Sequence, residues 1–257
     1  MATRVEYELR DETMWITFRE TEERRPCTLD YEVMDQLDAA TDAAADDPSV
    51  RAVVVQSASP KFFVVGANIN FLETLTPDGM MPWVERGYKS FGRFQELPTP
   101  VIASVAGAAL GGGLELALSC DFIIAGENAR FACPEASLGV MTGWGGSYRL
   151  PKLVGAPMAK EMYFTGQTLT AREAKDIGLV NHVTPAEELT AYVTEMVANI
   201  RKNDALAIRL AKEIMNNHIY DRVGQSLQSE AVNSVVCMHS PTTKKRMADF
   251  FASRKKK

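Results

Sequence analysis

The residue types best suited to chemistry cluster in Ala106-Gly107-Ala108-Ala109-Leu110-Gly111-Gly112-Gly113-Leu114-Glu115-Leu116-Ala117-Leu118. A run of glycines loses much conformational entropy on folding. It makes sense where backbone must approach another group closely. Here the run precedes an apolar helical stretch. The first amides of a helix have no intrahelical acceptor, and they sit at its positive end. Such amides suit an anion, or an oxygen on which negative charge develops. Glu115 follows Gly112 by about one helical turn, on a neighbouring face. Its flanks are Leu114 and Leu116, and a charge is seldom placed in so apolar a run without a task. The spacing therefore predicts a carboxylate and an amide donor facing one cavity.

A second carboxylate stands in Arg130-Phe131-Ala132-Cys133-Pro134-Glu135-Ala136-Ser137-Leu138-Gly139-Val140. Pro134-Glu135 reads as a helix or turn start, where a glutamate also compensates the helix dipole. Soon afterwards comes Gly143-Trp144-Gly145-Gly146, another loop kept largely free of side chains. It is not a phosphate-cradling P-loop, because no Gly-Lys-Ser/Thr follows, and no Gly-x-Gly-x-x-Gly match follows a strand. No Gly-x-Ser-x-Gly elbow for a nucleophilic serine is present. The three histidines lack metal-ligand spacing. The four cysteines, Cys27, Cys120, Cys133 and Cys237, show no Cys-x-x-Cys spacing and read as reduced core thiols.

These residues need elements to hold them. Val5–Arg10 and Met14–Phe18 alternate around Asp11-Glu12, which predicts a hairpin. Leu29–Ala45 places Val33, Leu37, Ala40 and Ala44 on one helical face. Ala52–Gln56 and Val101–Val105 read as buried strands, Val84–Gln95 and Gly113–Ser119 as helices, and Phe122–Ala125 as a further strand. His182 falls in a short strand-like run and reads as structural. The alternation through about residue 183 predicts a mostly parallel sheet system with crossover helices. Then the character changes. Thr184-Pro185-Ala186-Glu187 has the form of a capping box with proline at the first helical position. Helices are predicted at Glu187–Ile200, Ala205–Asn217 and Val223–Val236, with a last one from Ser240-Pro241 to about Ser253. The division is a 1–190 α/β catalytic core and a 191–257 helical region.

The chain has 257 residues, enough for one large domain. Its hydrophobic fraction is 46% and its charged fraction 24%, both ordinary for a globular protein. No stretch of apolar residues is long enough for a membrane span, and the first residues lack the apolar centre of a secretory signal, so a cytoplasmic protein is expected. The net charge of −5 argues against a nucleic-acid surface. The basic tail, Arg254 to Lys257, reads as a solvated terminus or a local phosphate contact.

Together, Gly111-Gly112-Gly113-Leu114-Glu115-Leu116-Ala117, Cys120-Asp121, Pro134-Glu135, Leu138-Gly139, and Gly143-Trp144-Gly145-Gly146 with Arg149-Leu150 resemble the signature of the crotonase (enoyl-CoA hydratase/isomerase) family. Phe62–Ile69 looks like its upstream Phe-x-x-Gly-Ala-Asp-[Ile/Leu] loop. Phe164-Thr165-Gly166, Ala171–Ala174 and Gly178-Leu179-Val180 look like its downstream stretch. The resemblance runs from about residue 5 to the C-terminus. It implies an α/β fold, a spiral of ββα units with a helical C-terminal trimerisation region, assembled as a homotrimer or a hexamer of two trimers. It implies an acyl-CoA thioester as substrate, with coenzyme A part of the substrate rather than a separate cofactor. The family's oxyanion hole carries over to the amides of Ala67 and Gly112, and its acid–base pair to Glu115, at water, and Glu135, at the α-carbon proton. Gly66, Asn68, Ile69, Gly111, Trp144 and Arg25 complete the implied substrate site.

Having both glutamates favours hydration over isomerisation, since many family isomerases keep only the equivalent of Glu135. The alternatives are an isomerase, a hydratase for a cyclic dienoyl-CoA, and, in another class, a non-catalytic RNA-binding homologue. The acidic balance and intact glutamates speak against the last. The chain also departs from the family's pattern. Asn68 stands where aspartate is usual, Thr142 replaces a common proline, and Trp144 fills a position often held by a small residue. Trp144 is expected to shorten or flatten the acyl pocket, or else to be wall packing. Glu20–Leu29 lacks the usual Asn-Ala-Leu; its Arg24 and Arg25 are expected at CoA phosphates or in an exposed polar loop. Leu72–Gln95, with Met80, Met81, Trp83, Tyr88 and Phe91, matches the region that lines the acyl chain in the family.

Overall fold

The structure, a computed structural model, describes residues 3–22, 25–219, 232, 235, 238 and 241–254. It opens with the hairpin of β1 (Thr3–Arg10) and β2 (Thr13–Glu20). Asp11 and Glu12 both take positive φ, 46° and 58°, the primed turn whose twist suits a two-residue hairpin. Helix α1 (Tyr31–Asp46) follows; Asp30 caps it by accepting the Val33 amide at 3.0 Å.

The next segments repeat one plan. β3 (Ala52–Ser57) leads to β4 (Phe62–Val64), then α2 (Ile69–Thr74) and α3 (Pro77–Glu96). β5 (Val101–Val105) leads to β6 (Ala108–Leu110) and α4 (Gly112–Ser119). β7 (Phe122–Gly126) leads to β8 (Arg130–Ala132) and the short α5 (Glu135–Leu138). In each turn the first strand joins a six-stranded sheet, ordered β1-β2-β3-β5-β7-β10, and the second joins a four-stranded sheet, ordered β4-β6-β8-β9. Strands β2 through β10 of the large sheet pair parallel, as do β4, β6 and β8 of the small one. This is the ββα spiral that the resemblance implies.

Two-residue periodicity divides the large sheet between two cores. Val53, Val55, Val101, Ala103, Ile123 and Ala125 face the main core. Ala52, Val54, Ile102 and Ile124 face Leu189, Val193 and Val197. Because both faces are covered, these strands read as continuous apolar runs. The chain continues through α6 (Gly146–Val154), α7 (Ala156–Thr165), β9 (Leu169–Thr170), α8 (Ala171–Asp176) and β10 (His182–Thr184). Helix α9 (Leu189–Arg201) covers the outer face of the sheet, followed by α10 (Ala205–Ile219) and the last helix, α11 (Pro241–Arg254).

Three expectations change. The glycine-rich segment Gly107–Gly113, given no element from the sequence, holds a strand: Ala108–Leu110 pairs with β4 and β8. Helix α3 begins at Pro77, not Val84, because Thr76 caps it and Pro77 fits its first turn. The capping box expected at Thr184 does not form. Thr184 ends β10, its hydroxyl donates to the Pro185 carbonyl, and a 3-10 turn separates it from α9. A true capping box instead joins Thr170 and Glu173 at the start of α8. His182 is exposed in β10 with its ring beside Tyr192. Cys27, Cys120 and Cys133 are buried free thiols. Arg24, Cys237, His239, Ser240, all but residues 232 and 235 of the helix predicted at 223–236, and the tail lysines lie outside the described residues.

Candidate active site

The neighbouring parallel strands β4, β6 and β8 end side by side, and each hands a site residue to the same place. Ligands commonly meet an α/β fold at the carboxyl ends of its strands. Beyond β4, the Leu29 amide donates to the Gly66 carbonyl at 2.9 Å, and the Asn68 amide donates to the Leu29 carbonyl at 2.8 Å. This parallel bridge uses the backbone groups on either side of Ala67. The Ala67 amide is left out of the pairing, and Ala67 lines a cavity. Asn68 and Arg25 do not line that cavity. Asn68 instead caps α2, accepting the Asn70 and Phe71 amides at 3.1 and 3.4 Å. Arg25 is exposed and pairs with Glu22 at 2.9 Å.

Beyond β6, Gly112 opens α4, so its amide has no carbonyl before it within the helix. The glycines here allow close approach. A Cβ on Gly113 would lie 1.8 Å from the Val64 carbonyl oxygen, and one on Gly112 would lie 3.4 Å from the Gly66 Cα and 2.3 Å from Trp144 Cζ3. The β4 and β6 loops therefore touch through backbone, bringing Ala67 and Gly112 to the same wall of one cavity.

Glu115 is only 3% exposed. Its Oε1 accepts the amides of Trp144 and Gly146, each at 2.8 Å. The glycine loop is thus a cradle for this carboxylate. Burial raises its pKa above the ordinary carboxylate range, opposed by the Gly146, Trp144 and Gly143 amides and by the Arg149 guanidinium. Arg149 is itself buried and donates to the Trp144 carbonyl at 2.6 Å, holding the cradle from behind.

Beyond β8, Pro134 starts α5 and Glu135 is its first residue, buried with its carboxylate beside Gly111. Gly139 closes this short helix in the left-handed conformation. The Thr243 hydroxyl, on α11, donates to the Gly139 carbonyl at 2.7 Å, and Arg246 donates to the Ser137 carbonyl at 3.2 Å. Burial pushes the Cys133 thiol up, helped by negative charge on Glu135 and Glu115.

One cavity of about 120 Å³ joins Ala67, Gly112, Glu115 and Glu135 with Gly66, Ile69, Gly111 and Trp144. Its remaining wall is apolar, with Leu72, Met80, Trp83 and Val84 contributed by the α2–α3 region and Met238 from the C-terminal part. Two amide-bearing residues, two acids and an apolar wall around one cavity are the groups needed to polarise a carbonyl and move protons on the adjoining carbons. Thr243, Arg149 and Gly87 gained no individual role from the sequence. Thr243 acts from far along the chain and leaves no local signal. Arg149 sat within a family motif, and Gly87 was visible as a glycine inside a helical pattern. No group of metal-ligating side chains occurs among the described residues.

The family model for enoyl-CoA hydratase/isomerase matches residues 13–257. A crotonyl-CoA hydratase of Syntrophomonas wolfei is 37% identical over 227 residues, covering 88% of this chain and 87% of the relative. A short-chain-enoyl-CoA hydratase of Clostridium acetobutylicum is 37% identical with the same coverage, 88% and 87%. Among solved structures, an enoyl-CoA hydratase from Mycobacterium avium subsp. paratuberculosis superposes with a TM-score of 0.87 at 27% identity, covering 98% of this chain and 97% of that one.

Proposed function

The chain belongs to the enoyl-CoA hydratase/isomerase family, and on that premise we propose that it adds water reversibly across the 2,3 double bond of an enoyl-CoA thioester. The observation that carries this reading is the single cavity in which Glu115 and Glu135 meet the amide-bearing residues Ala67 and Gly112. The Ala67 and Gly112 amides hold the thioester oxygen while it gains negative charge. Glu115, held by two loop amides, orients and activates water for attack at C3. Glu135 delivers the proton to C2 as the enolate collapses. Read backwards, the same groups dehydrate a 3-hydroxyacyl-CoA. The printed names of the relatives, crotonyl-CoA hydratase and short-chain-enoyl-CoA hydratase, support a hydratase over an isomerase, as does the presence of both acids.

In this reading coenzyme A arrives as part of the substrate, and the proton transfers require no further cofactor. The 191–257 region serves assembly into a homotrimer or hexamer and completes the site, a role supported by the α11 contacts to the Glu135 helix. Among the described residues no helix is long and apolar enough to cross a membrane. The location that goes with this reading is the cytoplasm.

The test is hydration of crotonyl-CoA, followed by loss of enoyl-thioester absorbance. Wild type turns over. Glu115→Gln and Glu135→Gln each lose about 10²–10⁴-fold in kcat, the range for a positioned acid or base, while retaining CoA-thioester binding. No turnover across short, long and cyclic enoyl-CoAs contradicts the reading.

A further inference from the structure

Trp144 has two faces of function: its backbone amide holds Glu115, while its indole lines the cavity. The ring spans between two glycines on different elements. A Cβ on Gly112 would stand 2.3 Å from its Cζ3, and a Cβ on Gly87, in the middle of α3, would stand 2.3 Å from its Nε1. Neither position tolerates a side chain while the indole is in place. Edge-to-face contacts fix it further. Trp83 lies at 5.0 Å and 78°, and Phe91 at 5.5 Å and 76°. The residue is 4% exposed. An indole so clamped cannot swing aside for a longer ligand without displacing α3, and its benzo edge abuts Gly112, which lines the cavity.

We infer that Trp144, seated in the notch of Gly87 and Gly112, is the specificity-determining residue that restricts the acyl group to short, flat chains. This rests on the acyl-CoA reading above, and names the class of acyl group within it. The cavity of about 120 Å³ falls well below the ~300–1,000 Å³ of pockets that engulf drug-sized ligands. The indole supplies a flat apolar boundary where a planar conjugated thioester gains contact and a flexible chain has no room. Gly87 is a positioning residue: its missing side chain is the space the pyrrole edge occupies.

Saturated butanoyl-CoA and octanoyl-CoA cannot be hydrated, so their binding reports the pocket apart from the reaction. Calorimetry on wild type, Trp144→Ala and Trp144→Leu measures both. Wild type binds butanoyl-CoA in preference. In both variants the ratio of the two Kd values moves toward octanoyl-CoA by about tenfold or more, the size that a methylene or two confers in an apolar pocket. Gly87→Ala, which drives a methyl into the indole, weakens butanoyl-CoA instead. Ratios unmoved within about twofold in both Trp144 variants, or a wild type that takes octanoyl-CoA as readily as butanoyl-CoA, overturn the inference. Should the ratio shift while crotonyl-CoA is never hydrated, the reaction is wrong and the boundary stands. Should hydration proceed with the ratio unmoved, the boundary alone is wrong.

Discussion

Glu115 carries two opposed demands. Burial disfavours its charge, while the loop amides and Arg149 favour it, and burial is the larger influence. The folded state therefore holds this proton more tightly than the unfolded chain does. Between the ordinary carboxylate range and the raised value, unfolding releases a proton. Stability contributed by the group is thus greatest at low pH, falls as pH rises through that window, and is level above it. Asp121 is raised in the same direction, by burial that outweighs Lys212. Glu115→Gln keeps an oxygen for the Trp144 and Gly146 amides without the charge. It should raise Tm at neutral pH and flatten the fall of Tm with pH, even as it lowers kcat. Thermal unfolding from pH 4 to 8 reads this directly. A variant less stable than wild type at neutral pH would show that the amide cradle, not burial, dominates. Such gains on removing a functional group follow from sites built at a cost in stability.

At the scale of elements, the site depends on helices that lie far apart in sequence. Helix α5 has four residues, too few to be stable alone. It is held by Thr243 and Arg246 of α11. Thr243→Val removes the hydroxyl while keeping the shape. It should cost about 1 kcal/mol of stability and lower kcat more than it changes KM, because it loosens the Glu135 helix and leaves the thioester amides intact. An unchanged kcat would detach α11 from catalysis. This dependence was not legible in the sequence. Local pattern sees a cap, a period or a glycine run, so it found the hairpin, α1, α4 and the buried strands, and it placed Glu115 in a helix starting at Gly113, one residue after the observed start at Gly112. It did not find β6, because three strand residues between glycines carry no period. It started α3 late, because Thr76-Pro77 was overlooked as a cap. It took Thr184 for a cap where a strand end and a 3-10 turn intervene. Glu135 was recognisable only through family resemblance; on its own it was an ordinary residue at a helix start. Asn68 stands where aspartate is usual, and its side chain caps α2 all the same.

Across the whole molecule, a further group of polar ties joins the helical C-terminal part to the body, with Lys212 at its centre. Lys212 of α10 is buried, donates to the Phe94 and Thr99 carbonyls at 2.9 Å each, and pairs with Asp121 at 2.8 Å. Asp121 in turn accepts the Val101 amide at 2.7 Å, at the start of a central strand. Removing Lys212 takes the donor from the Phe94 and Thr99 carbonyls and from the Asp121 carboxylate, which is less buried than Lys212. Lys212→Met should cost about 1–3 kcal/mol by chemical denaturation, and adding Asp121→Asn should recover part of that loss. A cost near that of an exposed pair, about 0–1 kcal/mol, would mean that α10 is held by other contacts. The spiral itself places three adjacent strand ends, the Glu115 cradle and the α3 wall around one opening. The chemistry assigned to that opening is one molecule of water divided between two carbons.

That division can be followed atom by atom. Crotonyl-CoA is incubated with the wild-type protein in D2O enriched in ¹⁸O, and the product is analysed by mass spectrometry and NMR. The account predicts 3-hydroxybutanoyl-CoA with the heavy oxygen at C3 and one deuterium at C2. Deuterium incorporated with a shifted double bond and no oxygen gained would contradict it.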